Sequence, residues 1–329
     1  MTSYQLLVRL LVEQCVVENA ADGTTVTIKP NKDVPSSSLQ SPSDPDAGYS
    51  GHKGKGYQMQ AMETYSPDKS LPDLITHVTV KAAHESDAQA LLAAIEEVEA
   101  RELSPTELQA DSLYGGDENV EKAGKLGVEV VSPAMGEQSH AISLADFLYS
   151  ESDEMLSCPM GQAPQRTKTG KSGGKIVHFD KATCDLCHRQ SDCPVQRVKQ
   201  SATISYDAKA LRLARRRVKE KTAAFRETYR HRAGIEGTMS DLDRLTGIKR
   251  LRVRGMTQVR VAATLKATGL NILRSAAFRI RKRCRYAGNH GDGSAIRTIM
   301  WSVKERLCAL LRYLRQALED QLPSWCVQA

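Results

Sequence analysis

Thr76-His-Val-Thr-Val-Lys-Ala82, then Ser86 to Glu102, then Leu108-Gln-Ala-Asp-Ser-Leu-Tyr114 follow one another along the chain, and this run decides the fold class. The first segment is β-rich and suits a strand. The second carries apolar residues at helical spacing, with Ser86 placed to cap it. The third is a short strand that stops at Gly115-Gly116. Just upstream, Gly54-Lys-Gly-Tyr-Gln-Met-Gln-Ala-Met-Glu63 alternates in character and reads as another strand. Downstream, 117–126 reads as a short helix and Val128-Glu-Val-Val-Ser132 as a strand. Strand, strand, helix, strand, helix, strand over 54–135 predicts a mixed α/β sheet with helices packed on it.

Outward from this core, 14–30 predicts two short strands around an Asp22-Gly23 turn, since Asp-Gly between β-rich runs is a hairpin signal. Leu6, Leu7, Leu10 and Leu11 mark one face of a short helix before it, and the Ser/Pro/Asp-rich 31–50 reads as a linker. Past residue 150 the character changes. Residues 157–200 hold four cysteines and the loop TKTGKSGGK. Residues 205–245 are helical and basic, 256–277 helical and more apolar, and 286–294 loop. A final amphipathic helix is expected over 295–322, with Met300, Val303, Leu307, Leu310 and Leu311 on one side.

The 329 residues suffice for one large domain or two ordinary ones. No apolar run is long enough to span a bilayer, and Arg9 and Glu13 interrupt the N-terminal stretch where a signal peptide needs an unbroken apolar core. The expectation is a cytoplasmic protein. Net charge is +7, unevenly spread. Residues 85–154 hold 17 acidic and 3 basic residues, a net of −14, whereas 212–254 hold 14 basic and 5 acidic, a net of +9. A second basic cluster covers Arg279 to Arg285. Such polarity points the C-terminal half towards a polyanion, with solvated helix faces as the plainer account.

Three constellations carry chemistry. Cys158, Cys184, Cys187 and Cys193 form the first. A Cys-x2-Cys pair sets two thiolates on one tight turn, and two more can close a structural Zn²⁺ shell, with His188 able to replace one of them. Ordinary reduced cysteines are the alternative, and Cys15, Cys284, Cys308 and Cys326 are read that way. Asp111 at a strand end is the second. A carboxylate there can bind a hard divalent cation, although an Asp before a Gly pair is most often a turn former. The third is Tyr229-Arg-His-Arg232-Ala-Gly-Ile-Glu236, whose spacing puts Tyr229, Arg232 and Glu236 on one helical face. Taken alone, Arg232 and Glu236 would be a surface i, i+4 ion pair.

Together these residues resemble bacterial insertion-sequence transposases of the DDE type. Asp111-Ser-Leu-Tyr114 is similar to their Asp-x2-Tyr segment, and Tyr229-x2-Arg232-x3-Glu236 to their Tyr-Arg-Glu-Lys signature. Leu251-Arg-Val-Arg-Gly255 with Leu265 to Asn271-Ile-Leu resembles the segment that follows it. Asp44-Pro-Asp-Ala and Gly56-Tyr-Gln-Met-Gln resemble the early strands, and the cysteine insert resembles one found in some members. The resemblance spans about 40–275 and implies a ribonuclease-H-like mixed sheet with flanking helices, a cysteine-rich zinc insert and a helical C-terminal region. It implies two Mg²⁺ ions held by Asp, Asp and Glu, one activating a nucleophile and one stabilising the departing oxygen. Asp111 would be the second carboxylate and Glu236 the third, close together in space. Tyr229 and Arg232 would contact the backbone of double-stranded DNA at transposon ends, with Lys249, Arg250, Arg252 and Arg254 adding phosphate contacts.

The signature's final Lys falls on Asp243, so Arg244 would have to supply that contact. The first carboxylate should lie upstream of the Gly56 strand. Asp22 suits a hairpin turn better than a catalytic strand, and Asp44 and Asp46 lie in a loop. The reading is therefore a transposase truncated at its N-terminus and inactive, with a homodimer as an open assembly. The expected division is a 1–50 remnant, a 51–156 sheet core, a 157–200 cysteine insert, 201–277 basic helices completing the core, and 278–329 for the basic cluster and C-terminal helix. Two alternatives are a non-catalytic zinc-containing DNA-binding protein and a small metal-dependent nuclease that adds Asp87 to Asp111 and Glu236.

Overall fold

The computed structural model describes residues 1–288, apart from 22, 88, 89, 171, 172 and 199, together with 305. Asp22, Cys308, Cys326 and the helix expected over 295–322 lie outside the described residues. In chain order the elements are α1 (Ser3–Gln14), β1 (Cys15–Ala20), β2 (Gly23–Ile28), β3 (Gly48–Ser50), β4 (Gly54–Glu63), β5 (Ile75–Ala82), α2 (Ala90–Glu99), β6 (Glu107–Gln109), α3 (Asp117–Lys125) and β7 (Glu129–Val131). There follow β8 (Leu148–Tyr149), β9 (Met155–Ser157), β10 (Arg166–Thr169), β11 (Lys175–Phe179), α4 (Lys181–Asp185), β12 (Gln196–Val198), β13 (Ser201–Tyr206), α5 (Ala208–Glu220), α6 (Ala223–Tyr229), α7 (Gly234–Thr246) and α8 (Met256–Gly288). The chain divides into two compact units, one of Met1–Glu85 with the segment from Ile235 onward, the other Ser86–Gly234.

In the first unit, Thr2 and Gln5 cap α1 reciprocally, each side chain accepting from the other's backbone N–H. β1 and β2 pair antiparallel from Cys15↔Ile28 to Ala20↔Gly23, and Gly23 takes φ +145° at the turn, as the Asp-Gly signal predicts. β3, β4 and β5 form a three-stranded antiparallel sheet. α8 lies on it through Val259, Ala263, Ala267 and Leu270, spaced along one helical face, against Ile75 and Val80. Asn271 fastens the helix further, its side-chain amide accepting from Ile75 N and donating to Ile75 O, both at 2.8 Å. α7 ends where Gly247 adopts φ +62° and donates to Asp243 O, a left-handed cap that turns the chain back.

Asp44 and Asp46, a weak catalytic suggestion from sequence, have a different role. Asp44 accepts from Gly255 N at 3.1 Å and Asp46 from Met256 N at 2.9 Å, so the two carboxylates satisfy free N–H groups where α8 begins. Tyr57 O–H donates to Asp44 as well. Burial, and then that hydrogen bond, push the Tyr57 phenol well above its ordinary range.

In the second unit, β6 and β7 pair parallel, with α2 and α3 covering them through Leu91, Ile95, Ala123, Val128 and Val130. The order expected over 54–135 is present element by element. Its strands, however, fall into two separate sheets among the described residues, not one mixed sheet. The described part of α2 runs from Ala90, and β6 stops at Gln109, short of Asp111. Residues 157–200, expected as a cysteine-rich insert, carry strands beside the expected loop. β10, β11, β13 and β12 form a four-stranded antiparallel sheet, with TKTGKSGGK as the β10–β11 hairpin. That sheet has a core of its own, with Val177, Phe179, Ala202, Ile204, Tyr206 and Leu211 all buried. α8 continues to Gly288, past the expected end of that helix.

α5 shows where much of the positive charge goes. Arg212 makes two bonds to the buried Asp117, at 3.1 and 2.6 Å. Arg216 donates to Gly115 O and Ser132 O, Arg217 to Met135 O, Arg215 pairs with Asp153, and Lys219 with Glu129. These cations, counted in the +9 segment as a polyanion surface, are ties inside the second unit.

Candidate functional site

Asp111 sits in a tight turn directly after β6. Its carbonyl accepts from Tyr114 N at 2.9 Å and from Ser132 Oγ at 2.7 Å, and Gly115 N bonds Ser112 O at 3.0 Å. Gly115 is required there, because a Cβ would stand 2.3 Å from Ser132 Oγ and 2.6 Å from Pro133 O. The turn presents the Asp111 carboxylate outward, with 56% of the side chain exposed. Tyr114 packs inward, and burial, followed by the charges of Asp87 and Asp111, raises its phenol to about 12. Asp87 therefore lies near the same turn.

Arg232 meets that carboxylate, with Nη1 2.8 Å from Asp111 Oδ1. Its guanidinium also lies 6.0 Å from the Tyr229 ring, and that ring stacks on Phe225 at 5.5 Å with an 18° interplanar angle. Burial raises the Tyr229 phenol, Arg232 opposes the shift and Asp111 adds to it. The continuous α-helix expected over 229–236 is interrupted: α6 stops at Tyr229, Arg230–Ala233 is 3₁₀, and α7 starts at Gly234. A 3₁₀ turn holds three residues where an α turn holds 3.6, so α spacing does not carry unbroken through this segment. Arg232 is paired with a residue 121 positions away, instead of standing only as a local helix-surface partner of Glu236.

Glu236 lies exposed in the first turn of α7, in the other unit, where a carboxylate suits the helix dipole. Two residues on, Thr238 is 1% exposed and is held by a polar cluster that sequence reading did not find. Thr238 Oγ1 donates to Glu63 Oε2 and accepts from Arg274 Nη2 at 2.6 Å, while Arg274 Nη1 lies 2.9 Å from Glu63 Oε2. Glu63 ends β4, so this cluster joins sheet, α7 and α8 beneath the Glu236 turn. Its three members are separated by 175 and 36 residues, and no local pattern could have signalled it.

Past α7 the chain alternates. Leu251 and Val253 pack into the α8–sheet core, while Lys249, Arg250, Arg252 and Arg254 are exposed. Lys249 pairs with Asp243 at 3.2 Å, and Arg244 with Asp241 at 2.9 Å, all at the surface. Arg279, Arg281, Lys282 and Arg283 are exposed on the later turns of α8.

The four cysteines draw near one another in the second unit. Gln162 bridges two of them, its carbonyl accepting from Cys158 N at 2.9 Å and its side chain from Cys184 Sγ at 3.4 Å. Burial, and then the Cys158, Cys193 and Cys187 thiols, raise Cys184 to about 11. Among the described residues, however, no three His, Cys, Asp or Glu side chains stand as a group that could hold a metal ion. No helix of the described residues is long and apolar enough to cross a membrane.

No curated protein and no solved structure matches the chain. Residues 157–276 match the family described as Transposase DDE domain. The match takes in all four cysteines, Tyr229, Arg232, Glu236 and the 249–254 alternation, and Asp111 precedes it. Residues 157–276 of this chain are thus similar to a DDE-type transposase domain.

Proposed function

We propose that the protein is a DNA-binding transposase of the insertion-sequence type, with Asp111 and Glu236 as its carboxylates and Tyr229, Arg232, Arg244, Lys249, Arg250, Arg252 and Arg254 facing double-stranded DNA. The observation that carries the reading is the family match over the segment holding Tyr229, Arg232 and Glu236. Carboxylate oxygens are suitable donors for Mg²⁺. The described residues nonetheless do not fit a two-metal centre, because no three ligands group together and the Asp111 carboxylate already meets a guanidinium. The chain is read as binding DNA without cleaving it.

The alternation at 249–254 supports a phosphate-facing strip, with apolar residues anchoring it and cations outward. Duplex binding should weaken steeply with salt, and changing Lys249, Arg250, Arg252 and Arg254 together to Ala should flatten the salt dependence by up to about four phosphate contacts' worth. Fluorescence anisotropy across a salt series checks this. Binding indifferent to ionic strength, or unchanged in the fourfold variant, would refute it. A Mg²⁺- or Mn²⁺-dependent nicking assay, with Glu236→Gln as control, should show no difference between the two proteins. Nicking that disappears in the control would establish a complete carboxylate set and an active enzyme.

Cys158, Cys184, Cys187 and Cys193 would make a closed tetrahedral thiolate set for one structural Zn²⁺ with no position left for water, and the metal would have to draw them together, because no three of them group as a metal site among the described residues. Metal analysis of protein purified without chelator should find about one zinc per chain. Replacement by Co²⁺ should give the absorption of a tetrahedral thiolate site. Four titratable thiols and no metal would end the idea.

A further inference from the structure

We propose that Asp111 restrains Arg232, so that a DNA phosphate must displace the Asp111 carboxylate to gain the guanidinium. The inference rests on the DNA-binding reading above and adds an internal competitor to it. The other arginines named in the second unit have internal tasks: Arg212 binds buried Asp117, Arg216 and Arg217 bind backbone carbonyls, and Arg215 pairs with Asp153. Arg232 differs, because the carboxylate 2.8 Å from its Nη1 is half-exposed and sits on a surface turn. Phosphate and carboxylate present the same acceptor geometry to a guanidinium, so one can replace the other.

Both partners are held in place independently of the bond between them. Asp111 is fixed through its backbone by Tyr114 N and Ser132 Oγ. The guanidinium lies by the Tyr229 ring, which Phe225 backs. Removing the carboxylate would therefore leave Arg232 positioned for an incoming anion, with little rearrangement to oppose binding.

The test is a double-mutant cycle read as duplex affinity by fluorescence anisotropy, at one ionic strength and with EDTA present. Wild type, Asp111→Asn, Arg232→Gln and the double variant are compared, with Asp111→Ser as a second release variant should the Asn form fold poorly. Asp111→Asn should bind about two- to fivefold more tightly, the range of a partly exposed ion pair. In the Arg232→Gln background the same change should give less than half that gain. Equal gains in both backgrounds would show a general charge effect and overturn the proposal, as would no gain at all. If wild type fails to bind any duplex, it is the DNA-binding reading that falls, a result distinct from either of these.

Discussion

Changing Glu63 to Ala should destabilise the protein by about 3 kcal/mol, because the mostly buried Arg274 guanidinium loses its 2.9 Å carboxylate and keeps only the longer contact with Asp241 at 3.8 Å. Glu63 is 12% exposed and Arg274 20%. The loss goes beyond one ion pair. Thr238 Oγ1 loses its acceptor in a place that is closed to water, and an unmatched buried hydroxyl adds its own penalty. Glu63→Gln keeps an acceptor for Thr238 and should recover part of the loss. Arg274→Met in the Glu63→Ala background removes the stranded charge and should recover more. Urea unfolding of the four proteins measures all of this. A Glu63→Ala midpoint equal to wild type would mean that solvent relieves the cluster.

Gly115→Ala should cost about 3 kcal/mol, at the upper end of what overpacking causes. The new Cβ would meet Ser132 Oγ at 2.3 Å, which can rotate, and Pro133 O at 2.6 Å, which cannot. Relief must come from backbone movement in the turn that carries Asp111. That movement also strains the bonds from Arg216 to Gly115 O at 2.7 Å and to Ser132 O at 3.0 Å. Adding Ser132→Ala should give back only a small part, since the carbonyl remains. Thermal unfolding reads the loss, and a variant as stable as wild type would show that the turn yields easily.

Much of the α/β part of both units could be read from local sequence. Two-residue alternation in Gly54–Glu63, the β-rich Ile75–Ala82 and helical spacing within 86–102 are short-range signals that produced β4, β5 and α2, whereas the strand expected to run to the Gly115-Gly116 stop ends at Gln109. Ser201-Ala-Thr-Ile-Ser-Tyr206 also alternates, with Ala202, Ile204 and Tyr206 buried, but the cysteines beside it drew the reading towards a metal loop. The charge run at 212–219 misled for a different reason. Sequence shows a cation but not its acceptor, and the acceptors here are Asp117, Glu129, Asp153 and backbone carbonyls far along the chain. At the candidate site, Asp111, Tyr229 and Arg232 were legible from their motifs. The Asp111–Arg232 bond and the Glu63–Thr238–Arg274 cluster were not, because both depend on contacts between residues distant in sequence.

The hold of Asp44 and Asp46 on the start of α8 sets an order of events at the ribosome. These carboxylates wait for Gly255 N and Met256 N, which emerge more than 200 residues later. Synthesis at ~5–20 residues per second makes that delay on the order of ten seconds or more. Ser86–Gly234 has its own buried clusters and can fold in the interval. The β4–β5 hairpin cannot finish, because Val80 and Ile75 face outward until α8 arrives. The nascent chain should therefore pass through a stage with a folded middle and a sticky early hairpin, which is the interval in which chaperone binding and aggregation compete.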